Sequence, residues 1–189
     1  MPERHMNQED WERYYTANRA PWIPHDPLLE EEAARLTPGR ALELACGEGS
    51  DALHLAGQGF EVLATDFAPA ALAITMERAE AMGLAVRTME VDAAALRLSE
   101  TFHFIYMGYL SLPAVERARA LTQLVHHLVP NGVFLYIGLE EAGALEEIAG
   151  HLSPLCIERA ETLHRVISMP NAEHFEADCV IVRARREVN

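Results

Sequence analysis

Strand-like and helix-like stretches alternate along most of this chain, and that alternation limits the folds open to it. Apolar, β-prone runs occur at 40–45 (RALELA), 60–65 (FEVLAT), 85–91 (AVRTMEV), 102–107 (FHFIYM) and 132–138 (GVFLYIG). Helical spacing of apolar residues fills 50–57, 69–82 and 114–128 between them. A strand, a helix and a strand in succession give a parallel crossover, and a series of crossovers gives a doubly wound α/β sheet. Two further strand-like runs, 156–168 and 174–185, follow with no helix between them, which predicts an antiparallel hairpin at one edge. The expectation is a single α/β domain with a mostly parallel seven-stranded sheet. Ahead of it, 8–19 has the pattern of a short helix, 20–27 (APWIPHDP) contains three prolines and must be extended or turned, and 28–36 returns to helical spacing. The chain is therefore divided into an N-terminal helix and covering segment, 1–30, and the sheet domain, 31–189.

Charge narrows the partners. The formal net charge is −14, with no lysine, so a phosphate backbone or an anionic membrane would be repelled by most of the surface. No apolar run approaches the roughly 20 residues that a spanning helix needs, and the N-terminal MPERHMNQEDWERYY lacks the apolar core of a secretion signal. Cys46, Cys156 and Cys179 are odd in number with no close pair, which suggests reduced thiols and a cytoplasmic setting. The composition points to a small-molecule partner, with no nucleic acid and no membrane; it is silent on oligomeric state.

The first strand candidate runs into Ala45-Cys46-Gly47-Glu48-Gly49 and then directly into a helix. In open α/β sheets ligands bind at the carboxyl ends of strands where the strand order reverses, and the first strand normally sits there. A loop leaving that strand needs backbone angles that a Cβ forbids, and room for a ligand. The helix that follows presents free N–H groups. The stretch therefore reads as a nucleotide-type cofactor loop, with Cys46 a small buried filler.

The spacing Gly47-x-Gly49-x-x-Ala52 also satisfies a dinucleotide fingerprint, and Asp66 ends the second strand where a carboxylate grips ribose hydroxyls. NAD and S-adenosylmethionine both fit so far. Glu43, two residues before the loop, would repel a pyrophosphate but suits the ammonium of a methionine-like tail. Asp92, with Ala93, ends the third strand, where a carboxylate can accept from an adenine amine. A dehydrogenase also usually needs more chain for its substrate than 189 residues leave.

The run ELACGEG…TDFAP…VDAAAL resembles motifs I to III of class I S-adenosylmethionine-dependent methyltransferases, over about residues 35–138. CGEGSDALHLAGQGFEV is also similar to the thiopurine and tellurite-resistance branch, through Cys46, Gly47, Asp51, Leu53, Leu55, Ala56 and Gly59. IYMGYLSLPAVERARAL follows the same branch, except that Met107-Gly108 stands where it carries Asp-Arg. The resemblance implies a Rossmann-like fold, S-adenosyl-L-methionine as cofactor with S-adenosyl-L-homocysteine as product, no metal, and methyl transfer to a small molecule through a soft nucleophile such as a thiol. It also implies Trp11 as a cover for the cofactor.

Expected roles follow. Gly47 and Gly49, with Ala45 and Cys46, admit the methionine portion; Glu43 orients its tail; Asp66 holds the ribose; Phe67 lies against the adenine or in the core. Met107 borders the methyl group. Tyr15, Trp22, Tyr106 and Tyr109 line the acceptor pocket, Tyr106 with an equal claim to the core. His25 and Tyr109 are the candidates for a catalytic group. The nine histidines show no metal-ligand spacing. Other readings remain open at this point: an S-adenosylmethionine-binding protein without catalysis, an O- or N-methyltransferase, and an NAD-dependent oxidoreductase.

Overall fold

The computed structural model describes residues 5–17, 24–168 and 174–188. The elements, in chain order, are α1 (Gln8–Ala17), α2 (Pro27–Ala33), β1 (Arg40–Leu44), α3 (Ser50–Gly57), β2 (Glu61–Asp66), α4 (Pro69–Met82), β3 (Val86–Glu90), β4 (Phe102–Gly108), α5 (Ala114–Leu124), β5 (Leu128–Leu139), α6 (Ala144–His151), β6 (Cys156–Ser168) and β7 (His174–Arg185). Seven strands form one sheet in the order β3-β2-β1-β4-β5-β7-β6. The first five pair in parallel, and β7 runs antiparallel to both β5 and β6. The doubly wound sheet with a terminal hairpin is thus the observed fold. The chain leaves β1 toward β2 on one side and returns to β4 on the other, so the carboxyl ends of β1 and β4 flank the crevice where strand order reverses.

Both faces of the sheet are covered, which is why its central strands read as near-continuous apolar runs. Leu42, Ile105, Met107, Phe134 and Tyr136 face α5 and α6 on one side. Ala41, Phe104, Tyr106, Leu135 and Ile137 face the layer containing Leu28 and Leu29 of α2, Ala52 and Leu55 of α3, and Leu72 of α4. Local signals set the helix ends. Asp26 caps α2, accepting from Leu28 N–H, with Pro27 at its first position. Pro69 opens α4 and Gly83, at φ 66°, closes it. The 1–30 boundary falls inside α2, because Leu28 and Leu29 already belong to the core.

Two expectations shift. The helix expected over 114–128 ends at Leu124, followed by a tight 3₁₀ turn at Val125–His127. β5 starts at Leu128, upstream of the strand expected at 132, because Asn131 at φ 63° and an irregular register between Phe102 and Phe104 carry pairing past Pro130. α6 was not anticipated.

α2 is fastened to the hairpin by charge. Glu32 is 1% exposed and lies within 2.7 Å of Arg35, 3.0 Å of Arg183 and 3.1 Å of Arg159. Removing one member of such a buried network strands the others. Glu32→Ala is therefore expected to lower stability by about 3 kcal/mol, read as a drop in the urea midpoint at unchanged m-value. Among the described residues no helix is long and apolar enough to cross a membrane.

Candidate functional site

β1 ends at Leu44, and the chain turns through three left-handed residues, Ala45 (φ 58°), Gly47 (φ 52°) and Gly49 (φ 82°), before α3 begins. A Cβ at Gly49 would lie 2.5 Å from Thr75 Cγ2, and one at Gly47 would lie 2.9 Å from the Tyr15 hydroxyl. The glycines answer both a conformational demand and a packing demand. The loop is tied on both sides: Cys46 N–H donates to Thr65 O at 2.8 Å, and Gly47 N–H donates to Asp66 Oδ2 at 2.9 Å. The other Asp66 oxygen accepts from Ala68 N–H at 2.9 Å. Burial pushes the Asp66 carboxyl up from its ordinary value, against these amide bonds, which favour its charge. The sequence pairs Asp66 with the loop only by spacing; the fold joins them directly.

Glu43 is 4% exposed, and its Oε2 has no hydrogen-bond partner. Burial first, then the nearby Asp51 and Asp66, hold its carboxyl well above the usual range. A buried, orphaned carboxyl oxygen beside the loop is suited to a cationic ligand group, and this is the observation on which the ammonium of a methionine-like tail fits. Cys46 is buried, with its thiol pushed up by burial, as expected of a filler.

The remaining cofactor candidates take varied positions. Asp92 is exposed and caps the short turn Ala93–Ala95, accepting from Ala94 N–H at 2.8 Å; Ala93 is buried. Phe67 is half-buried, and its carbonyl accepts from Gln8 Nε2 at 2.6 Å. Met107 is fully buried among Leu42, Ile105 and Phe134, so its side chain belongs to the core layer beneath α5 and α6.

The N-terminal helix lies over this end of the sheet. Trp11 stacks on Tyr15 with ring centroids 5.6 Å apart, and Tyr14 meets both edge-on. Glu12 Oε2 accepts from Ala70 N–H at the start of α4 at 2.9 Å, and Gln8 Nε2 also reaches Glu90 Oε1 at 3.1 Å. Tyr15 sits directly above Gly47, and burial raises its phenol pKa. Trp22 lies outside the described residues.

Toward β4 a second polar group is assembled. Tyr106 pairs in register with Glu43, is fully buried, and has no partner for its hydroxyl. It is therefore a core residue by burial. Its hydroxyl nevertheless climbs to Gly108, where a Cβ would meet it at 2.2 Å, so Gly108 leaves the phenol room to reach the end of the strand. Tyr109, at φ 50°, donates from its hydroxyl to Asp26 Oδ2 at 2.8 Å and accepts from Arg165 Nη1 at 2.9 Å. Arg165 grips Asp26 with both terminal nitrogens, at 2.6 and 2.9 Å, and holds that carboxyl below its ordinary range despite burial. Asp26 N–H in turn donates to Asp51 Oδ1 at 2.8 Å. His25, the other catalytic candidate, stacks on His54 with ring centroids 3.7 Å apart and meets Glu30 Oε2 at 3.0 Å.

Asp26, Asp51 and Arg165 were not singled out for roles from sequence. Asp26 had a readable signal, an Asp ahead of Pro-Leu-Leu, as a helix cap. Arg165 had none, since 139 residues separate it from Asp26. Among the described residues no group of three or more His, Cys, Asp or Glu is placed to hold a metal ion.

A demethylmenaquinone methyltransferase of Thermus thermophilus is 39% identical over 103 residues, which are 53% of this chain and 47% of that one. The matched stretches cover less than half the length of the curated relatives, between 37% and 47%. A solved structure concerned with the conversion of a disulfide bond into a thioacetal group during echinomycin biosynthesis superposes with a TM-score of 0.82 at 22% identity, over 97% of this chain and 94% of that one. The N-methyltransferase NodS of Bradyrhizobium japonicum WM9, solved with S-adenosyl-L-homocysteine, superposes with a TM-score of 0.70 at 18% identity, over 95% and 97%. At these identities the structures speak to the fold. Residues 41–132, from β1 to Gly132 in β5, match the methyltransferase domain family.

Proposed function

We propose that this protein is an S-adenosylmethionine-dependent methyltransferase that acts on a small molecule through a soft nucleophile such as a thiol. The observation that carries the reading is the coupling of Gly47 N–H to Asp66 beside the orphaned Glu43 oxygen. One stretch of backbone offers an anchor for a cationic tail and, across the loop, a carboxylate for a sugar diol. S-adenosylmethionine, when bound, supplies an electrophilic methyl group on a positively charged sulfur.

The chain's own residues then have distinct tasks. Glu43 and the loop amides of Ala45–Gly49 hold the tail. Asp66 exchanges amide partners for ribose hydroxyls, and Asp92 with Ala93 meets the adenine edge while Phe67 lies beside it. Trp11 and Tyr15 roof the crevice. Tyr15 fills the space above Gly47, so α1 lifts to admit a ligand and settles again to exclude water. Most of the catalysis is alignment, which is worth on the order of 7–11 kcal/mol when the reacting groups are held in line. Tyr109, at the carboxyl end of β4, faces the acceptor side with Arg165 and Asp26. The likeness of residues 46–59 to the thiopurine and tellurite-resistance branch supports a soft acceptor, as does the structural neighbour concerned with a disulfide and a thioacetal.

Calorimetric titration with S-adenosylhomocysteine tests the cofactor half, and heat at micromolar protein is the expected result. Release of S-adenosylhomocysteine across thiol, halide, amine and phenol acceptors tests the rest. Thiols should turn over fastest. Absence of binding heat would remove the cofactor, and turnover confined to amines or phenols would remove the soft nucleophile.

A further inference from the structure

The crevice between the carboxyl ends of β1 and β4 contains a carboxylate with no task in the cofactor reading. Asp51 lies in the first turn of α3, just past the loop. Its surroundings are built around it from every side. From the segment before α2, Asp26 N–H fixes Oδ1 at 2.8 Å. From β4 comes the buried Tyr106 hydroxyl, which has no hydrogen-bond partner and lies near enough to Asp51 to favour its charge. From β1 comes the buried Glu43 carboxyl, and from the lid side come the Asp26 carboxylate and His25, which stacks on His54 of α3.

The nearby cation is already spoken for. Arg165 is clamped by the two oxygens of Asp26 and by the Tyr109 hydroxyl. Asp26 therefore does two things at once. Its backbone orients Asp51, and its carboxylate, held ionised by Arg165, raises Asp51. Burial and the Asp26 carboxylate push Asp51 up to about 6, close to neutral pH, against the Asp26 N–H hydrogen bond and the nearby Tyr106 and His25, which favour its charge.

We propose that Asp51 is the general base that takes the proton from the methyl acceptor, with Asp26 and Tyr106 as its positioning residues. This rests on the methyltransferase reading above. In the step, the acceptor's lone pair forms the new bond to the methyl carbon as the carbon–sulfur bond breaks toward sulfur. The acceptor's proton passes to Asp51 and later to solvent. An acceptor that arrives already ionised needs no such help, so the base widens the range from acidic thiols to aliphatic thiols and phenols.

The test compares wild type with Asp51→Asn. Asparagine retains an acceptor for Asp26 N–H, so a purely structural role survives the change. Three readouts are taken between pH 5 and 8: S-adenosylhomocysteine affinity, product release with an aryl thiol, an aliphatic thiol and a phenol, and thermal unfolding of the ligand-free protein. Affinity should stay within about twofold. Turnover of the aliphatic thiol and the phenol should fall at least a hundredfold, within the usual range for loss of a general base, and that of the aryl thiol far less. The wild-type rate should rise with pH through about 6, and the variant should lose that limb. In the folded protein Asp51 holds its proton more tightly than in the unfolded chain, so its contribution to stability is present at low pH and lost as pH rises through about 6. The variant should therefore gain in melting temperature relative to wild type as pH rises.

Asp26→Asn removes the neighbouring carboxylate that raises Asp51 and should move the limb to lower pH. A tenfold loss of S-adenosylhomocysteine affinity in Asp51→Asn would assign Asp51 to the cofactor tail and overturn the proposal. Equal losses on all three acceptors, or a retained limb, would overturn it as well. A wild-type protein that binds S-adenosylhomocysteine but turns over no acceptor would sink the methyl-transfer reading itself.

Discussion

Gly49→Val is expected to unfold the cofactor loop and cost about 3 kcal/mol of stability. Two penalties add. A branched side chain at φ 82° sits in the left-handed region, at about 1–2 kcal/mol. Its Cβ would also stand 2.5 Å from Thr75 Cγ2 and 2.6 Å from Oγ1. Thr75 is fully buried in α4, and its hydroxyl lies 3.1 Å from Gly47 O and 3.2 Å from Ala71 O, so it has little freedom to yield. Overpacking of this kind adds about 1–3 kcal/mol. The urea midpoint should fall and S-adenosylhomocysteine should give no binding heat. A variant that melts with wild type would show that the left-handed turn is not required. Gly150→Ala is the matched control: α6 places nothing within 4 Å of the new Cβ, and the change should stabilise by about 0.5–1 kcal/mol.

Asp66→Ala should weaken S-adenosylhomocysteine binding tenfold or more, at about 1.4 kcal/mol per decade. The carboxylate is the proposed partner of the ribose, and it also holds Gly47 N–H and Ala68 N–H in place. Its loss therefore removes a ligand contact and loosens the loop together. Ligand-free stability at neutral pH should move much less. The buried carboxyl is raised in the folded state, so its stabilising contribution is present at low pH and lost as pH rises through its folded value. Alanine forfeits two amide hydrogen bonds but also relieves a buried charge. Unchanged affinity in calorimetry would refute the ribose assignment, and a large loss of stability with unchanged affinity would leave Asp66 only a structural role.

The two faces of the molecule differ in how they could be read. Around the cofactor loop nearly everything is local. Glu43, Gly47 and Gly49 lie within one strand–turn–helix, and Asp66 ends the neighbouring strand, so residue type and spacing suffice to bring them together. Around the carboxyl end of β4 little is local. Tyr109 could be placed after β4, but not what it touches, because Asp26 is 83 residues away and Arg165 is 56. Met107 shows the limit of strand reasoning. Its place in chain order puts it near the site, yet alternation along β4 turns its side chain into the core and brings the Tyr106 hydroxyl up beside Gly108 instead.

By itself, then, the sequence determined the strand–helix alternation, the left-handed turn after β1 and the carboxylates that flank it, since each depends on periodicity or on backbone angles within a few residues. The tertiary structure alone decided how charge is distributed across the crevice. The partnership of Asp26 with Arg165 exists only because the β6–β7 hairpin folds back against the start of α2. Ion pairs carry no sequence period, and which arginine meets which carboxylate is settled by the path of the chain in space.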